Sequence, residues 1–201
     1  MKMKRIKIHR LLKLNLLKSK VYEQPIKKMK FDNFIDVNLN QIIVSVKKIL
    51  QIILQYHKTG KRILFLGLPC KLELKVNQST KHVAVTKNFN IQGIISNYKS
   101  FKNYGNSNQV WLKNSSKFLL PKLSKKLDLI VLFDQDKSEK VLSEAKMAKV
   151  PVIFFGTSFE LQNRALYNVK GNFKNILSGC DKNIFFIGLS FLFKNRKTHD
   201  L

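Results

Sequence analysis

Residues 127–155 read LDLIVLFDQDKSEKVLSEAKMAKVPVIFF, and the alternation of apolar and polar blocks in this stretch decides the fold. From Leu127 to Phe133 every position but Asp128 is apolar, the pattern of a strand covered on both faces. From Lys137 to Lys149 apolar residues recur at three and four, as on the inner face of a helix. Val150 to Phe155 is apolar again. Strand, helix, strand at this spacing predicts a right-handed crossover between parallel strands.

Upstream the same grammar continues. ILFLG at Ile63 to Gly67 is a second short apolar run, and His82 to Thr86 reads as a further strand. Asn38 or Asn40 is placed to cap a helix running to about Lys58, in which Ile42, Ile43, Val46, Ile49, Leu50, Ile53 and Leu54 make one apolar stripe that Thr59-Gly60 ends. Met29 to Val37, around Asp32-Asn33, predicts a short strand or hairpin, and another helix is expected from Pro69. Residues 102–120 are polar and turn-forming, hence a loop; Asn172 to Lys194 reads as a final helix with Gly179 as its weak point. The predicted fold class is α/β: a three-layer parallel sheet flanked by helices, flavodoxin-like or Rossmann-like. It places a basic N-terminal helical arm at 1–27, a single α/β domain at 28–195 with a shortened loop at 103–123, and a tail at 196–201.

The charge is lopsided. Lys and Arg number 38 against 12 Asp and Glu among 201 residues, a formal net charge of +26. Residues 1–36 carry a net +8, residues 37–127 carry +15 and residues 128–201 only +3. Such self-repulsion calls for a polyanion beside the chain. Only Arg5, Arg10, Arg62, Arg164 and Arg196 are arginines, so the coat favours contact with a phosphate backbone over the reading of base edges. An excess of Lys, Asn, Ile and Phe is also the drift of an AT-rich genome, and accounts for part of the charge.

Catalytic chemistry finds little to work with. The turn after ILFLG reads GLPCKLELK, with one glycine and a proline where a phosphate-cradling loop needs more glycine. Asp134 and Asp136 follow a strand, where a transferase could hold a divalent metal; Asp136 as a helix N-cap with Glu139 in capping-box position is the simpler reading. His9, His57, His82 and His199 are scattered, and His57 suits the end of a helix as a dipole partner. Cys70 and Cys180 have no disulfide or zinc spacing, and no nucleophile elbow is present. No catalytic residue, metal site, cofactor or small-molecule substrate is expected. The apolar run from Ile184 to Phe193 is too short to span a bilayer, so it reads as core. What the chain does offer is lysine among aromatic and amide residues: Lys81-His82, Lys87-Asn88-Phe89, Asn97-Tyr98-Lys99, Phe101-Lys102-Asn103-Tyr104, and Lys122 with Lys125-Lys126. Phosphate contact by such lysines releases counterions, and an exposed ring can stack on a base.

Four segments together resemble the universal small-subunit ribosomal protein S-two family: KRILFLG at Lys61 to Gly67, NIQGIISNYKSFKN at Asn90 to Asn103, the block at Leu127 to Phe155, and YNVKGN at Tyr167 to Asn172. In them Gly93, Asn97, Tyr98, Lys99, Asp128, Asp134, Glu144, Ala145 and Pro151 fall in register, and the last motif is expected to open the final helix. The family's long helical hairpin after the second segment is absent. The resemblance implies a non-catalytic protein bound to small-subunit ribosomal RNA and neighbouring ribosomal proteins, not a homo-oligomer and not membrane-bound. The trimming, the lysine content and the retained Met1 imply an organellar member, mitochondrial rather than plastid. The RNA-facing set it implies is Lys2, Lys4, Arg5, Arg10, Lys81, His82, Lys99, Lys102, Lys125 and Lys126, with Gly93 and Asn97 shaping the turn that presents Lys99. Two rival classes are a nucleotide-sugar or phosphoryl transferase using Asp134 and Asp136, and a peripheral membrane protein using the basic arm of residues 1–20.

Overall fold

The computed structural model describes Ile8, 10–16, Val21, 32–86, 93–97, 122–133, 138–171, Phe173 and 183–193. Five strands, β1 (Ile63–Leu66), β2 (Val83–Val85), β3 (Leu129–Phe133), β4 (Val152–Gly156) and β5 (Tyr167–Lys170), form one all-parallel sheet in the order β2-β1-β3-β4-β5. Leu64 pairs with both Val83 and Ile130, Ile130 with Val152, and Ile153 with Tyr167. The order reverses between β1 and β3, as in doubly wound folds of the flavodoxin type.

Every residue of β1 to β4 is buried, because helices cover both faces, and their sequences accordingly lack alternation. Phe65, Ala84, Val131, Phe133, Ile153 and Phe155 point to one face, against α1 (Asp32–Lys58), α2 (Cys70–Ser79) and α5 (Ile184–Leu192). Leu64, Leu66, Val83, Val85, Ile130, Leu132 and Phe154 point to the other, against α3 (Ser138–Met147), α4 (Phe159–Arg164) and the turn holding Ile94 and Ile95. The three-layer α/β architecture expected from the sequence is the one present. On the α1 face Phe133, Phe155, Phe173, Phe185 and Phe186 pack ring on ring at centroid separations of 4.5 to 5.9 Å. Such rings bury roughly 150–250 Å² each, a large apolar contribution to this side of the core.

Three local expectations are corrected. Residues 32–37 are the start of α1 and not a strand: Leu39 is already buried in the core, so the helix enters upstream of Asn40. Tyr167 to Lys170 does not open the last helix but forms β5, whose pattern of half-buried, exposed, buried and exposed residues is that of an edge strand. The last helix is shorter than 172–194, spanning Ile184–Leu192 after a cap in which the Asn183 side chain accepts the Phe185 N–H at 2.9 Å. The arm is helical over 10–16, and Leu16, 1 % exposed, joins the α1-face core with Leu12 and Val21 packed beside it. The short α4, not anticipated, carries Gln162, whose buried side chain donates to the Gly156 carbonyl at 2.9 Å.

Candidate nucleic-acid interface

A parallel sheet brings all of its strand entrances to one edge, and the helices of its crossovers end there too. Lys61 and Arg62 lead into β1, Lys81 and His82 into β2, Lys122, Lys125 and Lys126 into β3, and Lys149 into β4. His57 and Lys58 end α1, and Lys146 lies in the last turn of α3. The carbonyl ends of helices favour cations, which gives part of this collection a structural reason.

Lys122 shows the structural use plainly. Its ammonium group donates to the carbonyl oxygens of Asn77 and Thr80, the second at 3.1 Å, and so closes the end of α2. Burial first, and then the Arg62 guanidinium, hold its pKa below the ordinary lysine value. Asp128, the carboxylate at this edge, is engaged by the backbone: its Oδ2 accepts the Arg62 N–H at 2.8 Å, and the Arg62 carbonyl accepts from Asp128 and Leu129. Lys61 lies over the Tyr56 ring at 5.1 Å. Lys58, Lys81, Lys125 and Lys126 are exposed and, among the described residues, have no carboxylate within ion-pair distance. The ion pair among the described residues, Arg164 with Glu139 at 3.3 Å, is elsewhere, between α4 and α3.

The sequence-predicted residues divide clearly. Lys81, Lys125 and Lys126 come together at this edge, exposed. Arg10 is exposed on the arm. Gly93 has φ +79° and opens a turn closed by the Asn97 N–H donating to the Gly93 carbonyl at 3.0 Å; Asn97 is exposed, and the Gly93 N–H donates to Glu144 Oε1 of α3 at 2.7 Å. Lys2, Lys4, Arg5, Lys99 and Lys102 lie outside the described residues, as do Asp134 and Asp136. Glu139 pairs with Arg164, and Asp136, its expected capping-box partner, lies outside the described residues.

His82 is corrected: at 2 % exposure it belongs to the core and cannot touch a polyanion. Phe65 and Phe193 flank its ring at 6.3 and 5.3 Å, its Nδ1 accepts the Ile63 N–H at 3.3 Å, and its Nε2 lies 2.9 Å from Nδ1 of His57. Burial, then His57 and Lys122, lower its pKa to about 4. Sequence reading missed it because strand alternation points residue 82 inward only once β2 is placed. Lys58, Lys61, Arg62, Lys146 and Lys149 were also missed as a group. Their common signal was available: each ends a helix or begins a strand of an all-parallel sheet.

Fold and edge define a doubly wound α/β protein with a lysine-lined amino edge. No family model matches the chain, and no curated protein matches it significantly. Among the described residues no helix is long and apolar enough to cross a membrane, and no three His, Cys, Asp or Glu side chains gather as a metal site.

Proposed function

We propose that this chain is a non-catalytic, RNA-binding component of a small ribosomal subunit of the S-two type, working in an organelle, the mitochondrion in the first place. The observation that carries this reading is the amino edge, where exposed Lys58, Lys81, Lys125 and Lys126 stand with no carboxylate within ion-pair distance among the described residues. Lysines so placed neutralise phosphates and release counterions, while leaving the sequence unread. On the arm Ile8, Leu11 and Leu14 are each more than half exposed, which suits a neighbouring ribosomal protein.

The test is charge reversal at Lys81, Lys125 and Lys126 to Glu. Co-sedimentation of the tagged full chain with small subunits is expected to be lost, and the slope of log affinity for small-subunit RNA against log salt to fall by about 0.9 for each contact removed. An unchanged slope with unchanged sedimentation refutes the interface.

A further inference from the structure

We infer that His57 is a phosphate-binding residue of the amino edge, a neutral imidazole whose Nε2–H is offered to an RNA phosphate oxygen by a two-histidine relay anchored on the backbone of β1. The inference rests on the RNA-binding reading above and adds to it a ligand contact of a different chemical kind.

The relay follows from hydrogen-bond direction alone. A backbone N–H can only donate, so the bond from Ile63 N to His82 Nδ1, at 3.3 Å, requires a bare lone pair on Nδ1. Neutral His82 then carries its proton on Nε2, and that N–H points at His57 Nδ1, 2.9 Å away. Nδ1 of His57 is therefore the acceptor, and its own proton sits on Nε2, which has no partner among the described residues, on a side chain that is exposed. The rings are held in place: Phe193 packs edge-on to His57 at 5.4 Å and Phe65 edge-on to His82 at 6.3 Å.

The same geometry fixes the tautomers, since His82 cannot exchange its proton without turning an Nδ1–H against the Ile63 N–H. The charged groups around the pair are Lys58 at the end of α1, Lys61 and Arg62 entering β1, Lys81 entering β2 and Lys122 before β3, while Asp128 is bound to the Arg62 amide. A neutral donor amid lysines does what they do not. It fixes the direction of one phosphate oxygen and adds affinity without releasing a counterion.

The experiment uses the full chain, a labelled small-subunit RNA fragment and equilibrium titration over a range of salt near pH 7.5. His57→Phe, which keeps the ring contact with Phe193, is expected to weaken binding about fivefold to tenfold at every salt concentration with no change of slope, and His57→Gln to restore much of the loss. Lys125→Gln, in contrast, should weaken binding and flatten the slope by about 0.9. Long-range proton–nitrogen spectra of the free protein should show both His57 and His82 as Nε2–H tautomers. Unaltered affinity in His57→Phe with a lysine-dependent slope overturns the relay's role and leaves the RNA-binding edge standing. A slope that falls with His57→Phe, or an imidazolium in the spectrum, overturns the neutral donor. Failure of the RNA to bind, or binding indifferent to Lys125, overturns the underlying reading and the relay with it.

Discussion

Stability should fall steeply on mild acidification, and His82 is the reason. In the unfolded chain its imidazole titrates at the ordinary value of 6.5; in the folded protein burial, His57 and Lys122 bring it to about 4. The folded state thus binds the proton more weakly than the unfolded state, so the contribution is complete above pH 6.5 and is lost as pH falls toward 4. Linkage over these two values gives a loss of about 2 kcal/mol from pH 7 to pH 5, and about 3 kcal/mol by pH 4. Against a total of about 5–15 kcal/mol for a domain, this is a large fraction. The assay is urea unfolding of the wild type and of His82→Phe at several pH values. Phenylalanine suits a site walled by Phe65 and Phe193, and the lost acceptor for Ile63 N–H imposes an offset of about 1 kcal/mol that does not vary with pH. Carboxylates elsewhere cancel in the difference. The wild type should lose about 2 kcal/mol more than His82→Phe between pH 7 and 5. Parallel pH profiles for the two proteins would refute the reasoning.

Two further substitutions test how the sheet and its turns are held. Asn77, 8 % exposed, uses its side-chain amide as a surrogate strand against β2, donating to the Ala84 carbonyl and accepting the Ala84 N–H, both at 2.8 Å. Asn77→Ala leaves both backbone groups unpaired and should cost about 3 kcal/mol in urea unfolding, with concentration-dependent association through the opened edge; a cost below about 1 kcal/mol would show that water replaces the amide. Gly93 has φ +79° and open space where a Cβ would stand, so Gly93→Ala should cost only the backbone strain, about 1–2 kcal/mol, and Gly93→Asn less. An equal cost for Ala and Asn would place the effect in packing instead.

The parallel sheet was legible because β1, β3 and β4 are buried on both faces and their apolar runs are unbroken, with a helix of clear period between β3 and β4. β5 was illegible for the complementary reason. As an edge strand it exposes Asn168 and Lys170, and Tyr167 and Val169 alone are too few to establish a period. Met29 to Val37 reads as a short strand or hairpin, but the helix that residues 32–37 open is stabilised by the core its later turns enter, a tertiary effect that local propensity does not contain. For the interface the lysines were visible singly, whereas their assembly was not: Lys58, Lys81 and Lys125 are far apart in sequence and meet only because parallel register brings strand entrances level. His82 shows the converse failure. Placed next to Lys81 it read as part of a basic cluster, yet in an extended chain neighbours face opposite ways, and the residue that follows an exposed lysine is the one turned to the core.

Why the charge gathers at this edge has a physical answer. The opposite end of the sheet is where doubly wound proteins hold ligands, and among the described residues the stretches leaving β1, β2 and β4, Gly67 to Cys70, Thr86 and Thr157 to Ser158, carry no charged side chain, while Lys87, Asp134 and Asp136 lie outside them. The amino edge differs because the crossover helices end there, and their carbonyl termini draw cations in, as the Asn77 and Thr80 carbonyls draw Lys122. These cations also repel: Arg62 works against the charge of Lys122, and Lys122 against a proton on His82. Salt screens that repulsion in the free protein and so steadies the fold, but it also competes with the chain for phosphates. Ionic strength must then act with opposite signs on stability and on binding, a pairing that a coat of purely structural lysines would not produce, since such a coat has no bound state to lose.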